Sequence, residues 1–103
     1  MNSAAPCVLA CGLLLVPALP ACAAAIVVQK GRAFRPAQVA IARGETVTFT
    51  NADSYIHQVY VTGLFDSAEK APGENLNETF PNPGTFQVRC HIHPTMKMTV
   101  RVR

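Results

Sequence analysis

The chain has 103 residues, with nine Lys plus Arg against six Asp plus Glu, a formal net charge of +3, and half of its residues hydrophobic. That length suits one domain, and so mild a basic balance does not by itself point to nucleic acid. Three of the four cysteines lie within the first 22 residues, so a domain that starts after them keeps Cys90 alone and can form no internal disulfide.

From Val8 to Ala25 the chain is an almost uncharged run of Ala, Leu, Val and Cys, broken by Pro17 and Pro20. It ends in Ala21-Cys22-Ala23-Ala24-Ala25, which offers Ala-x-Ala processing sites after Ala23 or Ala25. This pattern predicts a signal peptide over residues 1–23, with cleavage near 23–25, and a mature domain over 24–103 in the periplasm or another exported compartment. Two alternatives stand beside it. One is a membrane span, which the prolines and the short apolar core oppose. The other is a lipid anchor at Cys22, because Leu19-Pro20-Ala21-Cys22 resembles a lipoprotein processing box. In an oxidising compartment a lone thiol needs protection, and a bound metal would supply it. A disulfide-free core of this size is marginal, so ligation would also add stability.

Ile26 to Gln29 reads as a first strand, followed by a turn in which Phe34 is the core contact and Pro36 keeps its neighbour extended. Val39 and Ile41 alternate with Ala40 and Ala42 up to the Arg43-Gly44 turn. Val47 and Phe49 then alternate with Thr46, Thr48 and Thr50, a period of two that predicts a sheet with one buried face. Asn51 to Ser54 is polar turn material. A strand from Tyr55 to Thr62 would put His57, Val59 and Val61 inside and Gln58, Tyr60 and Thr62 outside. Gly63 to Asn75 lacks a period and reads as a surface loop with room for one helical turn. Leu76 to Phe80 is a strand, Pro81-Asn-Pro-Gly84 a turn, and Thr85 to Cys90 a strand with Phe86, Val88 and Cys90 inward. Met96 to Arg103 is the last strand, with Met96, Met98, Val100 and Val102 inward. Arg89, Lys97, Arg101 and Arg103 fall outward. Seven or eight short strands without a convincing helix make an all-β sandwich.

The stretch Cys90-His-Ile-His-Pro-Thr-Met96 places a thiol, an imidazole and a thioether at three-residue steps. Such a set suits copper, whose electron-transfer sites use two histidines, one cysteine and a distant methionine. The stretch lacks one histidine, and His57 is the candidate, because it faces inward at a strand end. Its approach to the loop rests on topology and not on spacing. His91 should point outward and bind nothing, and Met98 should be core.

Phe34-x-Pro36, Gly44-Glu-Thr-Val-Thr-Phe-Thr-Asn51, Asn51-x-Asp53-x-x-x-His57, Pro72-Gly73-Glu74 and Cys90-x-x-His93-Pro94-x-Met96, in this order, resemble the small cupredoxins. These are the plastocyanin, pseudoazurin and amicyanin group, and the ligand loop has amicyanin-like spacing. The resemblance covers essentially the whole mature chain. It implies a cupredoxin-like Greek-key β-sandwich holding one type 1 (blue) copper ion. His57, Cys90 and His93 would be its equatorial ligands and Met96 its weak axial one. It also implies a monomeric one-electron carrier that is not an enzyme and that meets a redox partner protein near His93. Two positions depart from the family. Gln58 stands where an Asn often ties the two ligand loops, a departure that puts the side-chain part of that tie in question and leaves the backbone N–H of residue 58 free to reach the Cys90 sulfur. Ile92 replaces a proline, which frees its N–H to reach the Cys90 sulfur.

Other readings predict different behaviour. A copper carrier, chaperone or storage protein would use the same ligands but exchange the metal readily. A Cys-His hydrolase would need a cleft and an imidazole oriented as general base, whereas Cys90 is predicted to point inward. A metal-free binding sandwich would leave the clustered ligand types without a reason.

Overall fold

The computed structural model describes residues 25–103. The expected leader, its cleavage position and Cys22 lie outside the described residues. Nine strands follow in order: β1 (Ala25–Gln29), β2 (Phe34–Arg35), β3 (Gln38–Ile41), β4 (Thr46–Asn51), β5 (Tyr60–Val61), β6 (Phe65–Asp66), β7 (Asn75–Thr79), β8 (Gly84–Arg89) and β9 (Lys97–Val102). They form two sheets, β2-β1-β4-β7 and β3-β9-β8-β5-β6. The pairs β1–β4 and β3–β9 run parallel and the others antiparallel. The architecture is the all-β sandwich that the alternating pattern predicts.

Alternation decides the faces. In β4, Val47 and Phe49 are buried, and in β9 so are Met98, Val100 and Val102. Full burial of a side chain of this size contributes about 1.5–3 kcal/mol. Aromatic edges fill the layer between the sheets, with Phe34 against Phe49 at 6.2 Å and Phe80 against Phe86 at 5.6 Å between ring centres. The outer face of β4 is wetter: Thr48 Oγ1 donates to Asn77 Oδ1 at 2.7 Å and Thr50 Oγ1 to Asn75 Oδ1 at 2.8 Å. Gly44, at φ 86°, makes the turn into β4, and its N–H donates to Phe80 O at 2.7 Å.

Two expectations need correction. The strand predicted over 55–62 is reduced to Tyr60–Val61, and His57 is joined to the rest by an isolated bridge to Lys70. Its inward set is right, for His57, Val59 and Val61 are all buried, but Gln58 is buried as well. Three successive buried residues cannot lie on a regular strand with one wet face. The loop predicted over 63–75 contains β6, which pairs with β5, and no helical turn.

Register brings the chemistry to one end of the sandwich. Gln29 lies opposite Asn51, so the β1–β2 turn and the end of β4 are neighbours. Arg89 lies opposite Lys97, so Cys90 and Met96 leave and enter their strands side by side.

Candidate metal centre

Asn51, the last residue of β4, is fully buried and shapes the approach to His57. Its Nδ2 donates to Tyr55 O at 2.8 Å and to Lys70 O at 2.9 Å, while its Oδ1 accepts from Asp53 N–H at 2.9 Å. The backbone of His57 pairs with that of Lys70 in both directions, at 3.1 and 2.7 Å. The ring has no solvent exposure, and its Nε2–H donates to Asp53 Oδ2 at 2.7 Å. Asp53 in turn accepts from the N–H groups of Gly31 at 2.8 Å and Arg32 at 3.2 Å. Burial alone would push the Asp53 carboxyl up, but the hydrogen bonds from His57, Gly31 and Arg32 and the charge of His57 outweigh it and hold the group at about 2.

With Nε2 engaged, the other ring nitrogen of His57 is buried and has no hydrogen-bond partner. An unsatisfied buried polar atom costs about 1–3 kcal/mol, so Nδ1 is an orphan that a metal would satisfy. Donor atoms of His57, Cys90 and His93 lie within 4.8 Å of one another. Nitrogen and sulfur ligands sit about 2.0–2.3 Å from an ion, so donors that share one are at most about 4.6 Å apart, and small side-chain adjustments close the difference. Cys90 is buried, and its Sγ lies 3.9 Å from His93 Nδ1. Met96 is also buried, and its N–H donates to His93 O at 2.9 Å, which closes the turn between them. Burial, then repulsion from His57 and Arg32, push His93 down, with Asp53 opposing. The net effect favours a neutral ring with a lone pair to give. One soft sulfur and two imidazole nitrogens fit one copper ion.

Tyr55 packs against both imidazoles, at 5.3 Å from His57 and 5.4 Å from His93 between ring centres, and the two imidazoles are 4.9 Å apart. The Arg32 guanidinium lies over the Tyr55 ring, 5.4 Å from its centre. Sequence reasoning missed these supports. Asn51 and Asp53 read from the sequence as polar turn material, and the one signal for them is their place in the motif that ends at His57.

Gln58 answers the question that its departure from the family raises. Its side chain does join the two ligand-bearing segments: Oε1 accepts from His91 N–H at 3.1 Å, and Nε2 donates to Asp66 Oδ1 and to Ser67 O. The longer side chain therefore reaches the loop as an Asn would. Among the described residues, no hydrogen bond from Ile92 N–H or Gln58 N–H to Cys90 Sγ is found. His91 points outward as predicted, stacked on Tyr60 at 3.7 Å with its Nε2 at 3.3 Å from Asp66 Oδ2.

The sequence profile of copper binding proteins of the plastocyanin/azurin family matches residues 21–103. A chloroplastic plastocyanin of Fritillaria agrestis is 30% identical over 88 residues, which cover 68% of this chain and 51% of that protein. The chain thus spans about half the length of that relative. Among solved structures, a Cu(I) form of a single-site variant of amicyanin superposes with a TM-score of 0.73 at 22% identity, over 78% of this chain and 82% of that one. A purple cupredoxin from Nitrosopumilus maritimus gives 0.72 at 24% identity, over 77% and 99%. A copper-containing nitrite reductase from Thermus scotoductus SA-01 gives 0.72 at 28% identity, over 89% of this chain but 25% of that one.

Proposed function

Because this chain belongs to the plastocyanin/azurin family of copper-binding proteins, we propose that it is a one-electron carrier in which His57, Cys90 and His93 would hold one copper ion and Met96 would add a weak thioether donor. The observation that carries this reading is the orphaned, fully buried His57 nitrogen in a ring whose donors lie within 4.8 Å of the Cys90 and His93 donors. When bound, copper supplies a Cu(I)/Cu(II) couple, and a site between the preferences of the two states changes little on electron transfer.

The residues supply the rest. Asp53 fixes the His57 ring and leaves Nδ1 to coordinate, which is the outer-shell support that metal-binding histidines commonly need. Buried Cys90, Met96 and Met98 keep water from the inner side. His93 is only partly buried, between exposed Ile92 and exposed Pro94 and Thr95, so its edge is the route by which an electron reaches a docked partner protein. No proton moves and no general base is needed. The chain has three histidines, and two are used here, so no second histidine cluster remains for substrate chemistry of the kind a copper enzyme performs. The leader-like start supports export to the periplasm or a similar compartment, with a lipid anchor at Cys22 as the variant form of that export.

The test is an optical spectrum of the copper-loaded protein. An intense visible thiolate-to-copper band that bleaches reversibly on reduction is expected, and Cys90→Ser should abolish it. A Cys90→Ser protein with its colour intact would overturn the assignment. Slow copper loss to a chelator is the result expected of an electron carrier, whereas rapid exchange would favour a copper carrier or store.

A further inference from the structure

The β1–β2 turn carries Lys30 and Arg32, and β2 carries Arg35, all exposed, and residues 25–44 contain no Asp or Glu. Among the described residues none of the three cations forms an ion pair with a carboxylate. The nearby Asp53 is buried, and its oxygens are occupied by backbone N–H groups and by His57. Lys30 and Arg35 bond to backbone carbonyls, of Ala52 and Lys30 respectively. Arg32 instead lies over Tyr55, whose ring leans on His93. Three large apolar side chains are exposed among the described residues, and two of them, Ile56 and Ile92, are chain neighbours of His57 and His93.

Arg32 is also the one non-glycine residue at positive φ among the described residues, at 55°. A side chain other than glycine is disfavoured in that region, and such an outlier points to a use for the side chain. Glycine would make the same turn without strain, so the guanidinium is what the strained position retains.

We propose that Arg32, held over Tyr55 beside His93, makes this end of the molecule a docking surface for a redox protein whose contact face carries carboxylates around an apolar centre. The inference rests on the electron-carrier reading and adds the charge of the partner. Ile56 and Ile92 supply the apolar contact, and Arg32, with Lys30 and Arg35 behind it, sets the sign of the charge that is steered in.

Two variants separate this local effect from overall charge. Arg32→Gly removes the guanidinium while suiting the positive φ and keeping the N–H to Asp53. Arg101→Gln removes the same unit of charge from exposed β9, where it pairs with Thr85 at the far end of β8 from Cys90. In the copper-free protein, an oligo-aspartate peptide should shift the NMR signals of Arg32, Tyr55, Ile56 and His93, and added salt should suppress the shifts. Arg32→Gly should lose them and Arg101→Gln should keep them. In the copper-loaded protein, oxidation by hexacyanoferrate(III) should slow several-fold in Arg32→Gly at low salt, with little change in Arg101→Gln and the opposite trend for a cationic cobalt(III) oxidant. Absent shifts, shifts retained in Arg32→Gly, or equal rate effects of the two variants would each overturn the proposal. A wild type that is blue and reversibly reducible in any of those cases leaves the electron-carrier reading intact, and a colourless one removes it.

Discussion

Asp53 shows how much one residue organises here, because it receives the β1–β2 turn on both oxygens and positions the His57 ring as well. Its carboxyl sits at about 2 against an ordinary 3.8. A depressed carboxylate stabilises the fold above its unfolded value, and that contribution is lost as pH falls from about 4 towards about 2. The copper-free protein should therefore lose urea resistance across that window. Asp53→Asn should be less stable at pH 7 by about 1–3 kcal/mol, since an amide cannot accept all of these hydrogen bonds. The difference between variant and wild type should shrink towards pH 2. Urea midpoints at a series of pH values measure this, and a difference that stays constant from pH 7 to pH 2 would contradict the assigned role. The type of this residue was visible in the sequence, but its burial was not. A polar turn gives no local sign that its carboxylate is the anchor of two distant N–H groups.

At the scale of elements, β4 and β9 were legible because each keeps its alternation over six residues, and β8 because it does so from Thr85 onward. The segment from Tyr55 to Val61 was legible only in part. Parity put His57 inside correctly, whereas the hydrogen bonds that replace a regular strand run to Lys70, Ser67, Asp66 and His91, and no local pattern specifies such partners. The approach of Cys90 to His93 followed from spacing along one loop. That of His57 needed the sandwich to close. Gln58 is the tie between these two segments, so Gln58→Ala should loosen the Cys90–Met96 loop more than the sheets. The expected result is faster amide exchange at His91 and a stability loss of about 1–3 kcal/mol from the unsatisfied His91 N–H and Asp66 contacts. Copper should leave the variant faster to a chelator, while circular dichroism in the strand region stays unchanged. Unchanged exchange at His91 would show that the tie is not what holds the loop.

For the whole molecule, the donors come from two separated parts of a disulfide-free domain, the segment after β4 and the β8–β9 loop, so an ion shared between them acts as a cross-link. Contacts within the protein orient two of the donors, with His57 held by Asp53 and Tyr55 packed on both imidazoles. Binding then needs little rearrangement, and the affinity goes into stability. A ligand at 100 times its Kd adds about 2.7 kcal/mol, and for a domain of this size each kcal/mol moves Tm by about 4–8 °C. Removing copper should therefore lower Tm by roughly 10–20 °C, and restoring it should return the lost degrees. Cys90→Ala takes away the thiolate but not the sandwich, so its Tm should lie near that of the copper-free wild type and respond little to added copper. Scanning calorimetry of the four samples decides the matter. Equal Tm values with and without copper in the wild type would mean that the three donors do not share an ion, and the cross-link would have to be abandoned along with the carrier built on it.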